Sequence, residues 1–513
     1  MDATHSHGTA PAPKRLGERS IGAVLWSALG AVTRLVLQLV SQIALARILG
    51  PETFGLFAIA LVTIMFTVLF SDLGLAYGLI QRKTVSNVDI RFVFTWQIVL
   101  GVVTTLVLSA VAPLIASVYG DERLTWLIRV ISLICVINAF GATAGMLLRR
   151  ALDFRSVNLA AVVSYAIGFI GIGLPMAVAG FGVTALVTAY MIQMTVASGM
   201  MFWCARHDVY PLFRNADAAQ MLGFGGTVLA TNVVNWVMTS IDRLVVGATM
   251  QVSAAGVFAT VANLITTPST AVHAVLQSVL YAASARVQDS GRQLRIALRT
   301  MFGAVAIFLA PVFFAIGAVA ETFMLAVYGA QWADGAAVLR PLAWAMPAFL
   351  LMGMAIPILW SAGQVRQEFR LQVPIAIVWV IVLVGVARLG SLALLSWAVC
   401  ALYHVRAAVI VAATLRAVGM TASELPRLLG AGTMVTVLVA LCAVIADIEL
   451  TRLGAGVHLR LALVALACGV AMLAGLRLAR RMIGLDVLRL LAKIADRVPG
   501  GHGRVMLRRL LLA

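Results

Sequence analysis

Polar side chains interrupt two otherwise apolar segments, and they are the groups in the sequence best suited to binding a polar ligand. The first segment carries Arg34, Gln38, Ser41 and Gln42. The second segment carries Asn232, Asn235, Thr239, Asp242 and Arg243. Spacings of three and four residues place each set on one face of a helix. A guanidinium and amide groups donate hydrogen bonds, and amide and hydroxyl oxygens accept them, so these residues are suited to contacts with polar groups.

Arg34 is the most costly of these residues to place in a membrane. At about 1.5 Å per residue from Ser20 it lies roughly 20 Å along a helix, near the middle of a bilayer about 30 Å thick. An arginine there costs about 2.5–3.5 kcal/mol, so we expect it to face a wet cavity or a protein partner. A ligand site and a packing contact inside a helix bundle both satisfy this expectation.

Further polar positions in apolar segments are assigned to cavity lining or gating. Asp242 and Arg243 lie near the outer end of their span, where pairing with other helices or snorkelling to the interface is an alternative to ligand contact. Pro268 is expected to bend its helix, with neighbouring hydroxyls bonding the carbonyls that it frees. The other candidates in this group are Ser41, Asp72, Thr239, His404 and Arg406. The last two lie near the centre of one span and could line a second polar groove.

The composition excludes a soluble globular protein. Of the 513 residues, 62% are hydrophobic and 11% are charged, whereas soluble domains are about 45–50% apolar. The formal net charge of +18 does not indicate a nucleic-acid partner, because the basic residues fall in short clusters between apolar spans. The five cysteines lie in apolar stretches without a C-x-x-C motif or a histidine at ligand spacing, so no metal and no cofactor are predicted.

Fourteen apolar segments are long enough to cross a bilayer. They lie near 21–48, 54–79, 92–117, 124–148, 156–178, 182–204, 220–247, 254–282, 298–320, 336–361, 371–389, 391–418, 428–448 and 458–480. Alternate loops between them carry clusters of arginine and lysine, and the opposite loops are short and poor in basic residues. Under the positive-inside rule both termini are cytoplasmic.

The predicted fold is all-α, with two six-helix lobes and two further spans. The predicted boundaries are 1–20 for a disordered cytoplasmic tail, 21–205 for the N-lobe, 206–219 for a linker, 220–419 for the C-lobe, 420–482 for the extra spans and 483–513 for a basic amphipathic tail. An internal repeat supports the lobe boundary, because Gly55-Leu56-Phe57-Ala58 recurs as Gly256-Val257-Phe258-Ala259. Six spans separate the copies, so they share an orientation, and a pseudo-twofold axis along the membrane normal is predicted.

A longer pattern begins at the end of the first predicted span. Residues 45–58 read Leu-Ala-Arg-Ile-Leu-Gly-Pro-Glu-Thr-Phe-Gly-Leu-Phe-Ala, and the motifs at 70–75 and 80–82 follow them. These stretches resemble the opening of polysaccharide-transport flippases of the Wzx type, and Ile241-Asp242-Arg243 with Gly256-Val257-Phe258 resembles the opening of their second lobe. That family belongs to a superfamily that also contains multidrug and toxic-compound extruders and the lipid II flippase.

The resemblance implies a function in the bacterial inner membrane. It implies translocation of undecaprenyl-pyrophosphate-linked oligosaccharide to the outer leaflet, by alternating access, for exopolysaccharide, capsule or O-antigen synthesis. The expected partners are this substrate, membrane lipids, and polysaccharide polymerase and chain-length or export proteins. The residues assigned to pyrophosphate and sugar binding in a central cavity are Arg34, Gln38, Gln42, Asn232 and Asn235.

Two other functions remain open from the sequence. A cation-coupled drug antiporter of the same superfamily needs a buried carboxylate, and the stripe around Arg34 contains no acid, which leaves Asp72 and Asp242. A membrane-embedded polysaccharide polymerase or ligase needs a large outward loop with catalytic side chains, and the predicted outward loops are short. The sequence therefore favours a transporter over an enzyme.

Overall fold

The computed structural model describes residues 13–72, 85–215, 218–284 and 291–482. All regular elements within these ranges are helices. The α-helices are α1 Pro13–Asp72, α2 Asn87–Tyr119, α3 Arg123–Ser132, α4 Ile134–Arg150, α5 Phe154–Tyr165, α6 Leu174–Val178, α7 Val183–Cys204, α8 Ala218–Thr249, α9 Val252–Ser284, α10 Gly291–Ala304, α11 Ala310–Ala318, α12 Ala320–Val327, α13 Gly335–Ser361, α14 Val365–Ala387, α15 Leu392–Ala417, α16 Leu425–Arg452 and α17 Val457–Leu478. Short π-helices, Ala166–Gly173 and Val305–Leu309, continue α5 and α10.

The helices confirm the predicted all-α membrane architecture with about fourteen spans. In the described part of the chain, 12 helical segments are long and apolar enough to cross a membrane. The first of them, Val32–Val68, covers the first two predicted spans, and α8 is a further helix of membrane length. This protein is therefore a multi-pass membrane protein.

The first helix differs from the prediction at its start. Residues 13–20 are helical, where the sequence predicted a disordered tail. The helix is interrupted at Gly50, whose φ of 75° is in the left-handed region, and Pro51 begins the second arm. This Gly-Pro pair marks the boundary between the first two predicted spans.

The two copies of the internal repeat pack against each other at their glycines. A Cβ atom at Gly55 would collide with the carbonyl oxygen of Val252, and a Cβ atom at Gly256 would collide with that of Pro51. Each glycine thus meets the carbonyl four residues before its counterpart, so the contact is reciprocal. Only glycine permits this approach of the second arm of α1 to α9.

The chain divides into two compact units. Unit 1 contains the described residues of Met1–Leu45 and Thr63–Val233, and unit 2 contains those of Ala46–Val62 and Val234–Ala513. Segment 46–62 belongs to unit 2 through the glycine contact and through Trp332, whose indole N–H donates to the carbonyl of Ala46 at 3.0 Å. The predicted boundaries keep this segment in the N-lobe, and the lobe assignment and its pseudo-twofold axis stay predictions.

Polar contacts anchor the last two described spans within unit 2. Asp447 of α16 accepts a hydrogen bond from Thr322 of α12 at 2.7 Å, and its Oδ1 lies 3.1 Å from Nε of Arg460 in α17. Gly432 permits α16 to approach the backbone of Ala306 closely. The predicted amphipathic tail at 483–513 lies outside the described residues.

The first part of the predicted linker belongs to unit 1. Residues 205–215 lie against the start of α2, where the amide of Leu212 donates to Thr95 at 2.8 Å and Asn215 donates to Asp89 at 2.8 Å. The indole of Trp96 donates to the carbonyl of Phe213 at 3.3 Å. This segment is therefore held to α2 by several hydrogen bonds.

Candidate functional site

The polar face of α1 is turned towards the rest of unit 1. The hydroxyl groups of Ser41 and Tyr165 are 2.6 Å apart, and Ser41 is only 2% exposed. At Gly30 the helix approaches Asn158 of α5 closely. Val36, which is 53% exposed, lies on a different face of the helix from Ser41. The sequence predicted one polar face here, and the structure shows that this face meets α5.

Arg34 combines accessibility with two tyrosine neighbours. Its side chain is exposed, and its charge interacts with the hydroxyl groups of Tyr165 and Tyr190, which belong to the same unit. The two tyrosines themselves are 6% and 8% exposed. The guanidinium is therefore reachable by a ligand, with buried hydroxyl groups near it. A site of this composition can hold an anion, because the arginine supplies charge and the hydroxyl groups can supply hydrogen bonds.

The backbone beside Tyr165 is unusual. A π-helix, Ala166–Gly173, begins at the next residue, and the Tyr165 ring stacks on Phe169 with centroids 4.8 Å apart. Single π-turns within α-helices are frequent at functional sites. Gly168 faces Gln193 of α7, where a Cβ atom would come within 2.9 Å of the glutamine Cβ. The π-helix therefore fixes Tyr165 beside α1 and packs tightly on α7.

The predicted site contains four amide side chains, and the structure describes three of them. Gln38 and Gln42 are half-buried on α1, and Gln42 has an interaction partner. Asn232 is half-buried in the part of α8 that belongs to unit 1. Asn235 lies in the same helix, and its side chain falls outside the described residues. Sugar binding by these four amides stays a prediction.

A second polar cluster lies in unit 2. Arg243 donates from Nη2 to Oδ1 of Asn263 at 2.9 Å, and its backbone N–H donates to Asp242 at 2.8 Å. Asp242 and Arg243 both interact electrostatically with Tyr403, which is 9% exposed. Of the two alternatives in the sequence, pairing inside the protein is the one these contacts favour.

Arg406 extends this cluster along α14 and α15. It is 7% exposed, and its Nε donates to Gln372 at 3.0 Å. Gln372 in turn donates to Glu368 at 2.8 Å, one helical turn earlier. His404 does not join this network: it is exposed, and its Nδ1 lies 2.9 Å from the carbonyl of Cys400. Residues two apart on a helix point in very different directions, and the second polar groove predicted for this pair stays a prediction.

The remaining candidates are distributed along three helices. Thr239 is exposed on α8, and Pro268 is half-buried within a continuous α9. Beside the proline, the hydroxyl of Ser269 donates to the carbonyl of Ile265 at 2.7 Å. Asp72 is the last residue of α1, and its side chain falls outside the described residues. A search of the described residues found no group of three histidine, cysteine or acidic residues arranged to bind a metal.

Sequence reasoning missed Tyr165, Tyr190, Asn263 and Gln372. None of them belongs to a motif, and Tyr165 lies 124 residues from its partner Ser41. The available signal was the presence of hydrogen-bonding groups inside apolar spans, which require partners in a medium without water. That signal identifies candidates but does not pair them.

The comparisons with known proteins point to one family. The profile described as "Polysaccharide biosynthesis protein" matches residues 44–337. The chain is 26% identical to the lipopolysaccharide biosynthesis protein WzxC of Escherichia coli (strain K12), over 62% of this chain and 65% of that protein. It is 25% identical to the succinoglycan biosynthesis transport protein ExoT of Rhizobium meliloti (strain 1021), over 67% of this chain and 69% of that protein. The matched region thus spans about two thirds of these relatives.

A solved structure shares the fold. The lipid II flippase MurJ, in an inward closed conformation, superposes with a TM-score of 0.74 and covers 89% of this chain and 99% of that one. The sequence identity is 12%, so the likeness concerns the fold alone.

Proposed function

The chain belongs to the polysaccharide biosynthesis protein family, and from this premise we propose that it is a flippase for undecaprenyl-pyrophosphate-linked oligosaccharide. In this proposal it carries the repeat unit from the cytoplasmic to the outer leaflet of the inner membrane, by alternating access, for surface polysaccharide synthesis. Both termini are assigned to the cytoplasm on the charge pattern of the loops. The reaction is transport, and no covalent step is required.

The observation that carries the proposal is the exposed guanidinium of Arg34 with Tyr165 and Tyr190 near it. Sixteen residues of α1 separate Arg34 from the interruption at Gly50, which amounts to about 24 Å of helix. If Gly50 marks the outer boundary of a hydrocarbon core about 30 Å thick, Arg34 lies in its inner half. A pyrophosphate that arrives in the cytoplasmic leaflet therefore meets this arginine early.

The chemistry of the substrate fits such a site. A pyrophosphate cannot cross hydrocarbon unaided, whereas a planar guanidinium can pair with it through two parallel hydrogen bonds. The sugars need hydroxyl and amide partners, and the polyprenyl tail can stay in lipid. If the headgroup carries about two negative charges, an inside-negative potential favours its export by about 4–5 kcal/mol per 100 mV. Binding and release at alternate faces are sufficient for transport.

A drug antiporter is the second candidate, because unit 2 contains the half-buried acid Asp242. Such a transporter needs a carboxylate that receives a cation. The charge of Arg243 acts on the Asp242 carboxylate, which also accepts a hydrogen bond from the Arg243 backbone N–H at 2.8 Å. Positive neighbours oppose the entry of a cationic drug. This environment supports the flippase over the antiporter.

The test is a deletion of the gene followed by analysis of lipid-linked intermediates. A flippase defect predicts loss of surface polysaccharide and accumulation of undecaprenyl-linked oligosaccharide that stays inaccessible from outside the cell. Re-expression of the wild-type chain should restore export. Loss of drug resistance with normal polysaccharide would support the antiporter, and accumulation of externally accessible repeat units would indicate a polymerase defect.

A further inference from the structure

A polar groove, here called the outer groove, lies at one end of unit 2, and its lining includes none of the predicted site residues. It has a volume of about 550 Å³, and its lining includes Glu321, Asp334, Arg340 and Trp397. Small side chains, among them Ala336 and Ala393, complete it. The volume falls within the range of about 300–1,000 Å³ typical of small-molecule sites. Because it is formed by α12 and the first turns of α13 and α15, it lies at the end that the charge pattern assigns to the outside.

The aromatic wall of the outer groove is held firmly. Trp397 is 43% exposed, and its ring lies edge-on to Trp344 with centroids 5.6 Å apart. The indole N–H of Trp344 donates to the carbonyl of Phe314 at 3.2 Å, and the two rings stack. Trp397 thus presents a broad apolar surface at a fixed position. A rigid, partly exposed aromatic ring is a common anchor in binding sites.

The charged groups of the groove interact only weakly with each other. Arg340 and Glu321 are 3.6 Å apart with side chains 41% and 76% exposed, and such exposed pairs contribute little to stability. Asp334 occupies the position before α13, yet its side chain makes no capping hydrogen bond. The Nε of Arg340 donates to the carbonyl of Gly317 at 3.2 Å, which orients the guanidinium. Two carboxylates and one guanidinium therefore line the groove, and the ion pair between Arg340 and Glu321 is weak.

The net charge of the groove limits the kinds of ligand that it can bind. Two carboxylates and one guanidinium give it a net charge of about −1, which disfavours phosphate and other anions. The guanidinium of Arg340 opposes a divalent cation, because its positive charge lies 3.6 Å from the Glu321 carboxylate that would have to bind the ion. A neutral ligand with many hydroxyl groups and an apolar ring face satisfies both the charged groups and Trp397. Saccharides have this combination.

We propose that the outer groove is a saccharide site that binds neutral sugars of the transported oligosaccharide on the outward face. The identity of the sugar rests on the proposed flippase function, while the groove is separate from Arg34. A site here would hold the sugar chain after its pyrophosphate has left the inner half of the membrane. It would thereby disfavour the return of the headgroup.

The experiment measures binding of a soluble sugar to the full chain in lipid nanodiscs. The probe is the repeat-unit oligosaccharide released by mild acid from the lipid-linked pool of the deletion strain, which carries neither lipid nor pyrophosphate. Saturation-transfer NMR should detect binding to the wild type, and Trp397→Ala should weaken it about tenfold. Trp397→Phe should retain most of the affinity, because it keeps an aromatic face.

Trp360→Ala is the matched control. Trp360 lies at the opposite end of α13 and is 45% exposed, so its loss removes a similar surface far from the groove. Equal binding by the Trp397→Ala and Trp360→Ala proteins, or no binding by the wild type, would overturn the proposal. The two proposals fail separately: Arg34→Ala should bind the free sugar normally while losing transport. If Arg34→Ala abolishes sugar binding and Trp397→Ala does not, the sugar site lies near Arg34 and the outer groove is excluded.

Discussion

The two membrane-embedded arginine sites differ in what their side chains contact. Arg34 in unit 1 is exposed and lies near tyrosine hydroxyl groups. Arg406 in unit 2 is 7% exposed and donates to Gln372 at 3.0 Å. The same residue type, with the same cost of insertion, is thus accessible in one unit and paired in the other. The contrast supports the proposed ligand site at the first, and we expect the second to contribute to stability.

The largest expected effect is the loss of transport in Arg34→Ala. Removing a bidentate, charge-assisted pair with pyrophosphate costs about 3 kcal/mol, which corresponds to a fall in export of about a hundredfold. Surface polysaccharide is measured against protein abundance in the membrane. Val36→Ala, on the exposed apolar face of the same helix, is the control. Arg34→Lys should export at an intermediate level because it keeps the charge and loses the planar fork. Normal export by Arg34→Ala would refute the site.

A smaller effect, of a different kind, is expected for Arg406→Ala. It leaves Gln372 without its guanidinium partner, so the free energy of unfolding should fall by about 1–3 kcal/mol. Thermal unfolding of the purified protein measures this change. Export per folded molecule should stay close to the wild-type value. A stable Arg406→Ala protein that fails to export would place this arginine in the transport path and remove the contrast between the units.

Tyr165→Phe tests whether the tyrosine hydroxyl supports the arginine. It removes the 2.6 Å hydrogen bond with Ser41 and keeps the ring stacked on Phe169. A hydrogen bond of this kind contributes about 1 kcal/mol, so we expect export to fall about fivefold with little change in protein abundance. Ser41→Ala removes the same bond from the other side, and it should have a smaller effect if the hydroxyl of Tyr165 also contacts substrate. Equal effects of the two variants would limit Tyr165 to positioning α1.

The smallest effect is expected for His404→Ala. His404 is exposed and bonded within its own helix, two residues from the buried Arg406. Export and thermal stability should both stay within about twofold and 0.5 kcal/mol of the wild type, as is usual for surface substitutions. A strong defect would show that His404 meets substrate and would support the predicted second polar groove.

The sequence predicted the polar faces better than it predicted their partners. The spacing of Arg34 and Ser41 identified one face of α1, and the structure turns that face to Tyr165 and Tyr190. Nothing local connects these residues, because the tyrosines lie in other spans. For His404 and Arg406, closeness in sequence suggested one groove, although the helix turns about 200° between them. That groove stays a prediction.

The glycine repeat shows the same limit in a different form. The sequences that begin at Gly55 and Gly256 are similar, and this similarity suggested two related lobes. Only the tertiary structure shows that each glycine packs against the backbone of the other copy.

The sequence alone determined that this is an all-helical membrane protein with about fourteen spans. Each span is recognised from the hydropathy of its own residues and from the charge of the loops beside it, without knowledge of the other spans. Only the tertiary structure decided which polar groups are accessible and which are paired. A buried donor or acceptor must find a partner wherever the fold supplies one, and in this chain those partners come from spans far apart in sequence. Arg34 and Arg406 therefore have different surroundings, one exposed and one buried with a hydrogen-bond partner, although their residue type is the same.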